Sequence, residues 1–207
     1  MDEHQQRAFN SWAKFLNPQV LRQNLITASL FLAAFESLKS SVTNPIRDFF
    51  SNGFDENGFI VDPEYQAEVL DRHKSPLRAS LLWLHDREIV DDADIATVDR
   101  IREHRNELAH QLMKYVAQSE SEIDVELIGE ISKLVTKIDR WWILEVEVPA
   151  NSDYDGQEID ESEIISGNMF FLQMMMQVAA GDDSSDETYV AFMEAAAKRG
   201  FEPADRA

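Results

Sequence analysis

Between Ile101 and Leu112 the chain reads IREHRNELAHQL, and its inner stretch, RNELAH, puts Arg105, Asn106 and His110 within about two helical turns. An imidazole is the side chain best suited to moving protons near neutral pH. A guanidinium offers a fork of donors to phosphate or carboxylate, and an amide orients either partner. Together these three types could form a reactive centre, or only a salt-laced helical surface. Arg102 and His104 lie just upstream as supporting groups.

A helix must position them. The acidic cluster DDAD at 91–94 supplies caps and negative charge for its start, and the apolar spacing carries it to about Gln118. On a helical projection Val98, Ile101, Leu108, Leu112 and Val116 form one apolar stripe, and Arg105 falls inside it. Asn106 and His110 lie four apart on a shared face, roughly 100–140° round at ~100° per residue. Arg105 therefore points toward the core or a subunit interface, where an unpaired guanidinium is costly. Glu36, alone among the charges between Arg22 and Lys39 in the most apolar run of the chain, is the expected partner. If that pair is buried, Glu36→Ala is expected to cost about 3–5 kcal/mol. A purely structural ion pair, with His110 an exposed helix residue, is the competing account.

Other motifs carry less. Glu107-x-x-His110 has the spacing of di-iron bundles, but none of the other four histidines has a Glu three places before it. His85-Asp86 reads as a surface polar pair. Residues 53–64, GFDENGFIVDPE, approach a calcium loop, yet Gly53 stands where the first carboxylate belongs and Pro63 interrupts the end. Asn52-Gly53 and Asn57-Gly58 read instead as turns of an irregular or hairpin insertion near 51–62. The run MFFLQMMM at 169–176 reads as core or a dimer seam, and Trp141-Trp142 as one buried and one rim-lying ring.

Almost every long segment has helical periodicity, so the expected fold is an all-α, single-domain bundle of six to eight helices over residues 1–207. Expected helices cover a first amphipathic stretch ending near Asn17, then roughly 18–42. Two more begin at Pro63 and Pro76, each behind a capping residue. The next starts from a Ser119/Glu122 capping box and ends before Pro149; the last two cover 160–180 and 185–200. With no cysteine, disulfides, thiolate metal sites and a catalytic thiol are excluded, and a reducing cytoplasm is the expected location. The N-terminus lacks a signal-peptide layout, and the apolar run LITASLFLAAF looks too short to span a bilayer, so no membrane association is expected. No metal and no cofactor are expected either.

The net charge of −20 is uneven: residues 141–197 hold thirteen acidic residues and no Lys or Arg. Such a chain repels nucleic acid as a whole, so any contact with phosphates must be local. Residues 98–114 are locally balanced, with four basic and three acidic side chains.

At Arg105, Asn106 and His110 the sequence resembles the HEPN superfamily of all-α proteins. The motif of that family is an Arg, a polar residue, then a His four to six residues beyond the Arg. LFLAAFESL, an apolar helix with an embedded Glu36, is similar to the family's opening helix. The resemblance is strongest over residues 20–145 and leaves 150–207 as an acidic C-terminal extension. It implies metal-independent RNA cleavage at a homodimer interface, in a toxin or phage-defence role, with Arg105, Asn106 and His110 as the site. It also implies an antitoxin or nucleotidyltransferase partner, although the Tyr that such partners modify is replaced here by Leu112, with Tyr115 following later. A non-catalytic dimeric interaction or scaffold module and a small-nucleotide-binding bundle are the alternatives.

Overall fold

The computed structural model describes residues 2–56, 58–181 and 184–198. It is an all-α bundle: seven helices have eleven residues or more, and one two-stranded hairpin is the sole sheet among the described residues. Helix α1 (Glu3–Leu16) opens on a capping box between Asp2 and Gln5. Helix α2 (Pro18–Phe49) is the axis of the fold, and α1, α4 (Pro76–Asp86), α5 (Asp92–His110), α6 (Leu112–Ala117), α7 (Glu126–Trp142) and α9 (Gly167–Ala180) all pack on it. A short helix, α3 (Pro63–Glu68), follows the hairpin, and α10 (Ser184–Lys198) ends the described chain.

The reason for α2's centrality is its apolar stripe. Phe31, Ala34, Leu38, Val42 and Ile46 recur at steps of three and four, and each is fully buried. This stripe also explains why α2 outruns the expected end near residue 42 and passes through Pro45 to Phe49. An internal Pro costs about 3 kcal/mol. Burying side chains such as Ile46 and Phe50 contributes about 1.5–3 kcal/mol each, enough to hold the helix together. Helix α2 as a whole, longer than the apolar run LITASLFLAAF within it, is long and apolar enough to cross a bilayer, as the core helix of a bundle also can be.

Facing α2, α7 buries Leu127, Ile131, Leu134, Val135, Ile138 and Trp142. Trp142 stacks on Trp83 of α4, ring centroids 6.1 Å apart, and Phe49 and Phe50 complete an aromatic cluster. Trp142 is buried and Trp141 half-buried, the division expected of the pair.

Several boundaries differ from expectation, and each has a physical cause. Helix α7 begins at Glu126, not after Ser119. The Ser119 N–H donates to Ser11 Oγ at 3.2 Å and Lys14 donates to the Gln118 and Ser121 carbonyls, so this segment is fastened to α1. The same helix does not stop before Pro149. It widens into a π-helical turn over Ile143–Glu147 and closes in α8 (Val148–Ala150), where Pro149 occupies a first-turn position that needs no N–H. Helix α9 starts at Gly167 instead of 160 because the Ser166 hydroxyl caps Met169 N–H and donates to the buried Asp139 carboxylate. Gly181, in the left-handed region at φ 70°, ends it as expected. The Ser75 side chain makes no capping bond to α4.

The insertion is a hairpin: β1 (Ser51–Asp55) pairs antiparallel with β2 (Gly58–Val61), with Phe54 opposite Phe59. Asp62 caps α3 and accepts from Asn52. Residues 53–64 thus follow the turn reading, with Asn57 outside the described residues. The end of the last helix near Gly200 lies outside them too.

Ile101 sits on α5 with no solvent exposure, next to Arg102 and four positions from Arg105. Ile101→Ala is expected to destabilise the protein by about 2–5 kcal/mol in urea denaturation.

Candidate functional site

Asp91 and Asp94 form a reciprocal capping box that starts α5 at Asp92, and Ile95, Val98, Ile101 and Leu108 bury one face of it. These anchors turn the adjoining edge of the helix, bearing Arg102, Arg105 and Asn106, toward the second half of α2. Between them lies a cleft of about 460 Å³. Its walls include Phe35, Glu36, Lys39 and Arg47 of α2, Tyr65 of α3, and Ser75 and Pro76 at the start of α4.

Glu36 and Arg105 meet across this cleft, the guanidinium Nη2 donating to Glu36 Oε1 at 3.3 Å. The guanidinium also lies 5.3 Å from the Phe35 ring centroid, and its Nη1 donates to Asn106 Oδ1 at 3.4 Å. Its Nε is buried without a partner. Arg105 thus leans on an apolar wall while its terminal nitrogens face the cleft.

The pair is shallower than its sequence context implies. The two side chains keep 33% and 51% of their exposure, and Lys39 shares the same carboxylate at 3.1 Å. The expected buried bridge is therefore corrected to a half-exposed one, because the pair stands in the wall of an open cleft.

The structure regroups the expected residues. Arg105 and Asn106 are brought together, and Arg102 joins them on the cleft wall, paired to Asp99 at 3.5 Å. His110, the last residue of α5, is exposed outside the cleft and makes no side-chain hydrogen bond or ion pair among the described residues. No bond links it to Asn106. His104 turns the other way: its ring packs edge-on against Phe31 at 4.9 Å and Tyr115 at 5.5 Å. Its Nε2 accepts from the Asp124 N–H at 3.2 Å, which makes it a fastening of the 119–125 segment and not a cleft residue.

The helix expected to reach Gln118 breaks at Gln111, whose φ of −127° and ψ of 35° leave the helical region. No Gly or Pro lies there. The cause is the junction itself: Lys114 bonds Glu107 at 2.5 Å, Tyr115 also bonds that carboxyl, and Tyr115 is buried against His104. Turning α6 to seat Tyr115 moves Leu112 off the apolar stripe, and it is exposed. Lys114 first, then Tyr115, hold the Glu107 carboxyl below its ordinary value. Burial and then the Glu107 contact push the Tyr115 hydroxyl up to about 12.

Sequence reasoning missed Lys39, Thr43 and Arg47. Their signal is nonetheless present, since Glu36, Lys39, Thr43 and Arg47 recur at steps of three and four along one edge of α2. Among the described residues no three His, Asp or Glu side chains gather as a metal-binding group. His85 pairs with Asp92 at 3.2 Å and Asp86 with Arg72, a surface arrangement. Comparison of the chain with protein-family models, curated proteins and solved structures finds no match.

Two outcomes follow from this geometry. Glu36→Ala should lower stability by no more than about 1 kcal/mol, because half-exposed pairs are screened by solvent; a loss of several kcal/mol in chemical denaturation would show a deeper bridge. Glu107 has a folded-state value below its unfolded one, so its contribution is complete above about pH 4.5 and is lost as pH falls through the lower folded value. Acid unfolding of wild type should therefore be steeper below pH 4.5 than that of Glu107→Gln, followed by circular dichroism.

Proposed function

We propose that this protein is an HEPN-like, metal-independent endoribonuclease in which Arg105 and Asn106 receive the scissile phosphate and His110 moves the proton. The observation that carries this reading is the Arg105–Asn106 pair, seated on Phe35 and tied to Glu36 at the wall of a cleft. A guanidinium held by a carboxylate on one side and an aromatic ring beneath is pre-oriented, and its remaining N–H groups are aimed at incoming anion.

In the proposed reaction the ribose 2′-oxygen forms a bond to the adjacent phosphorus and the 5′-oxygen bond breaks. The products are a 2′,3′-cyclic phosphate and a 5′-hydroxyl end. His110 takes the 2′-hydroxyl proton and a proton is returned from imidazole to the departing 5′-oxygen, while Arg105 stabilises charge developing on the phosphorane. Asn106 orients a phosphate oxygen. His110 stands outside its own cleft, so the proposal includes a homodimer in which one copy's imidazole completes the other's site. The free, exposed imidazole at the end of α5 supports that part.

A second reading, a non-catalytic dimeric interaction module, is favoured by a different feature. An open groove of about 540 Å³ between α2 and α9 is lined almost wholly by apolar side chains, among them Leu25, Ile26, Phe171, Met175 and Val178.

The two separate in one experiment. Purified protein incubated with RNA in EDTA should cut it to cyclic-phosphate ends. His110→Ala should slow cutting by about 10²–10⁴-fold, the range typical of acid–base catalysis, with an unchanged circular dichroism spectrum. RNA left intact by wild type, or cut equally fast by the variant, removes the nuclease reading.

A further inference from the structure

Positive charge around the cleft is arranged as a line, not a point. Lys39 and Arg47 stand on one edge of α2, and Arg102 and Arg105 face them from α5. At 1.5 Å of rise per residue, the stretch from Glu36 to Arg47 extends about 16 Å. Arg78 adds a fifth cation behind Arg102, since Asp99 accepts from Arg78 at 2.9 Å and lies 3.5 Å from Arg102. Arg47 pairs with its neighbour Asp48 at 3.0 Å, and Glu36 serves both Lys39 and Arg105. Five cations thus share three carboxylates, a local surplus of two positive charges in a chain of net −20. All five cationic side chains keep between 30% and 50% of their exposure, so these pairs are loose and exchange for a better anion.

We propose that this edge of α2 is a phosphate rail: the cleft takes one RNA strand, and Lys39 and Arg47 grip backbone phosphates leading away from the one held by Arg105 and Asn106. The inference rests on the RNA-cleaving reading and names its substrate class as single-stranded. A mononucleotide would need cations converging on one spot, whereas these follow the wall of the cleft. The cleft, about 460 Å³ in volume, admits nucleotide units of a single strand, whose flanking phosphates then run along the edge of α2. Tyr65, half-buried in the same wall, supplies a flat surface for a base, as single-strand sites require. The acidic remainder of the chain confines the strand to this path by repelling it elsewhere.

The test uses the full chain carrying His110→Ala, so that a short labelled single-stranded RNA survives while binding is measured across a salt series. The logarithm of the binding constant should fall linearly with the logarithm of salt. Adding Lys39→Ala or Arg47→Ala should each flatten that slope by about 0.7, the value per phosphate on a single strand. Arg47→Lys should keep the slope, and Arg7→Ala, on α1 and paired with Glu120, should leave it unchanged. Slopes unmoved by Lys39→Ala and Arg47→Ala overturn the rail, as does no RNA binding at all. ATP displacing the strand as well as unlabelled RNA does overturns it in favour of a mononucleotide site. Binding with the expected slopes by a wild-type chain that cuts nothing supports the rail and removes the nuclease reading; cutting with slopes unmoved by either variant does the reverse.

Discussion

A helix enclosed by six others has little circumference left for charge, and that constraint organises the whole molecule. Helix α2 must present apolar side chains to nearly every neighbour, and Phe31, Leu38, Val42 and Ile46 do so with no exposure. The arc that remains is narrow and lies over the gap between α5 and α3. Glu36, Lys39, Thr43 and Arg47 occupy it. Because the buried stripe fixes the rotation of α2, it also fixes where these polar groups stand. The buried residues of α5, Ile95, Val98, Ile101 and Leu108, set how Arg105 meets that edge.

The electrostatics follow the same partition. Acidic residues dominate the C-terminal third, while the cations of α2 and α5 collect beside one opening. Each is attended by a carboxylate, which keeps the apo cleft from being a bare concentration of like charge. Phe35 contributes in a different way: beneath the Arg105 guanidinium it supplies a face that favours a cation without neutralising it. The cleft is therefore positive, its surplus softened but not cancelled by half-exposed carboxylates.

How much of this is legible in the sequence depends on whether the cause is local. The all-α class follows from periodicity alone. The meeting of Glu36 and Arg105 is legible too, since a guanidinium on an apolar stripe needs a carboxylate and Glu36 is the one embedded in the most apolar helix. The depth of their contact is not, because it depends on the open cleft in whose wall they stand. The break at Gln111 leaves no mark in residue type; it arises from Tyr115 seating against His104 and from Lys114 reaching back to Glu107. His104 itself looks like a site residue by position, yet a hydrogen bond from a segment twenty residues away claims its nitrogen. Lys39 and Arg47 go unnoticed for a different reason: scattered among apolar residues, they declare themselves only when counted in steps of three and four.

The two stripes of α2 occupy the same turns, and this binds their fates. Removing or inserting one residue between Glu36 and Arg47 would rotate everything beyond it by ~100°, carrying Ile46 out of the interior and Arg47 away from the opening in a single stroke. Length is thus frozen along this span, while the β1–β2 hairpin, with Phe54, Asp55 and Glu56 exposed, is free to grow or shrink. Lineages of this protein would then vary in the hairpin and hold the count of the long helix constant.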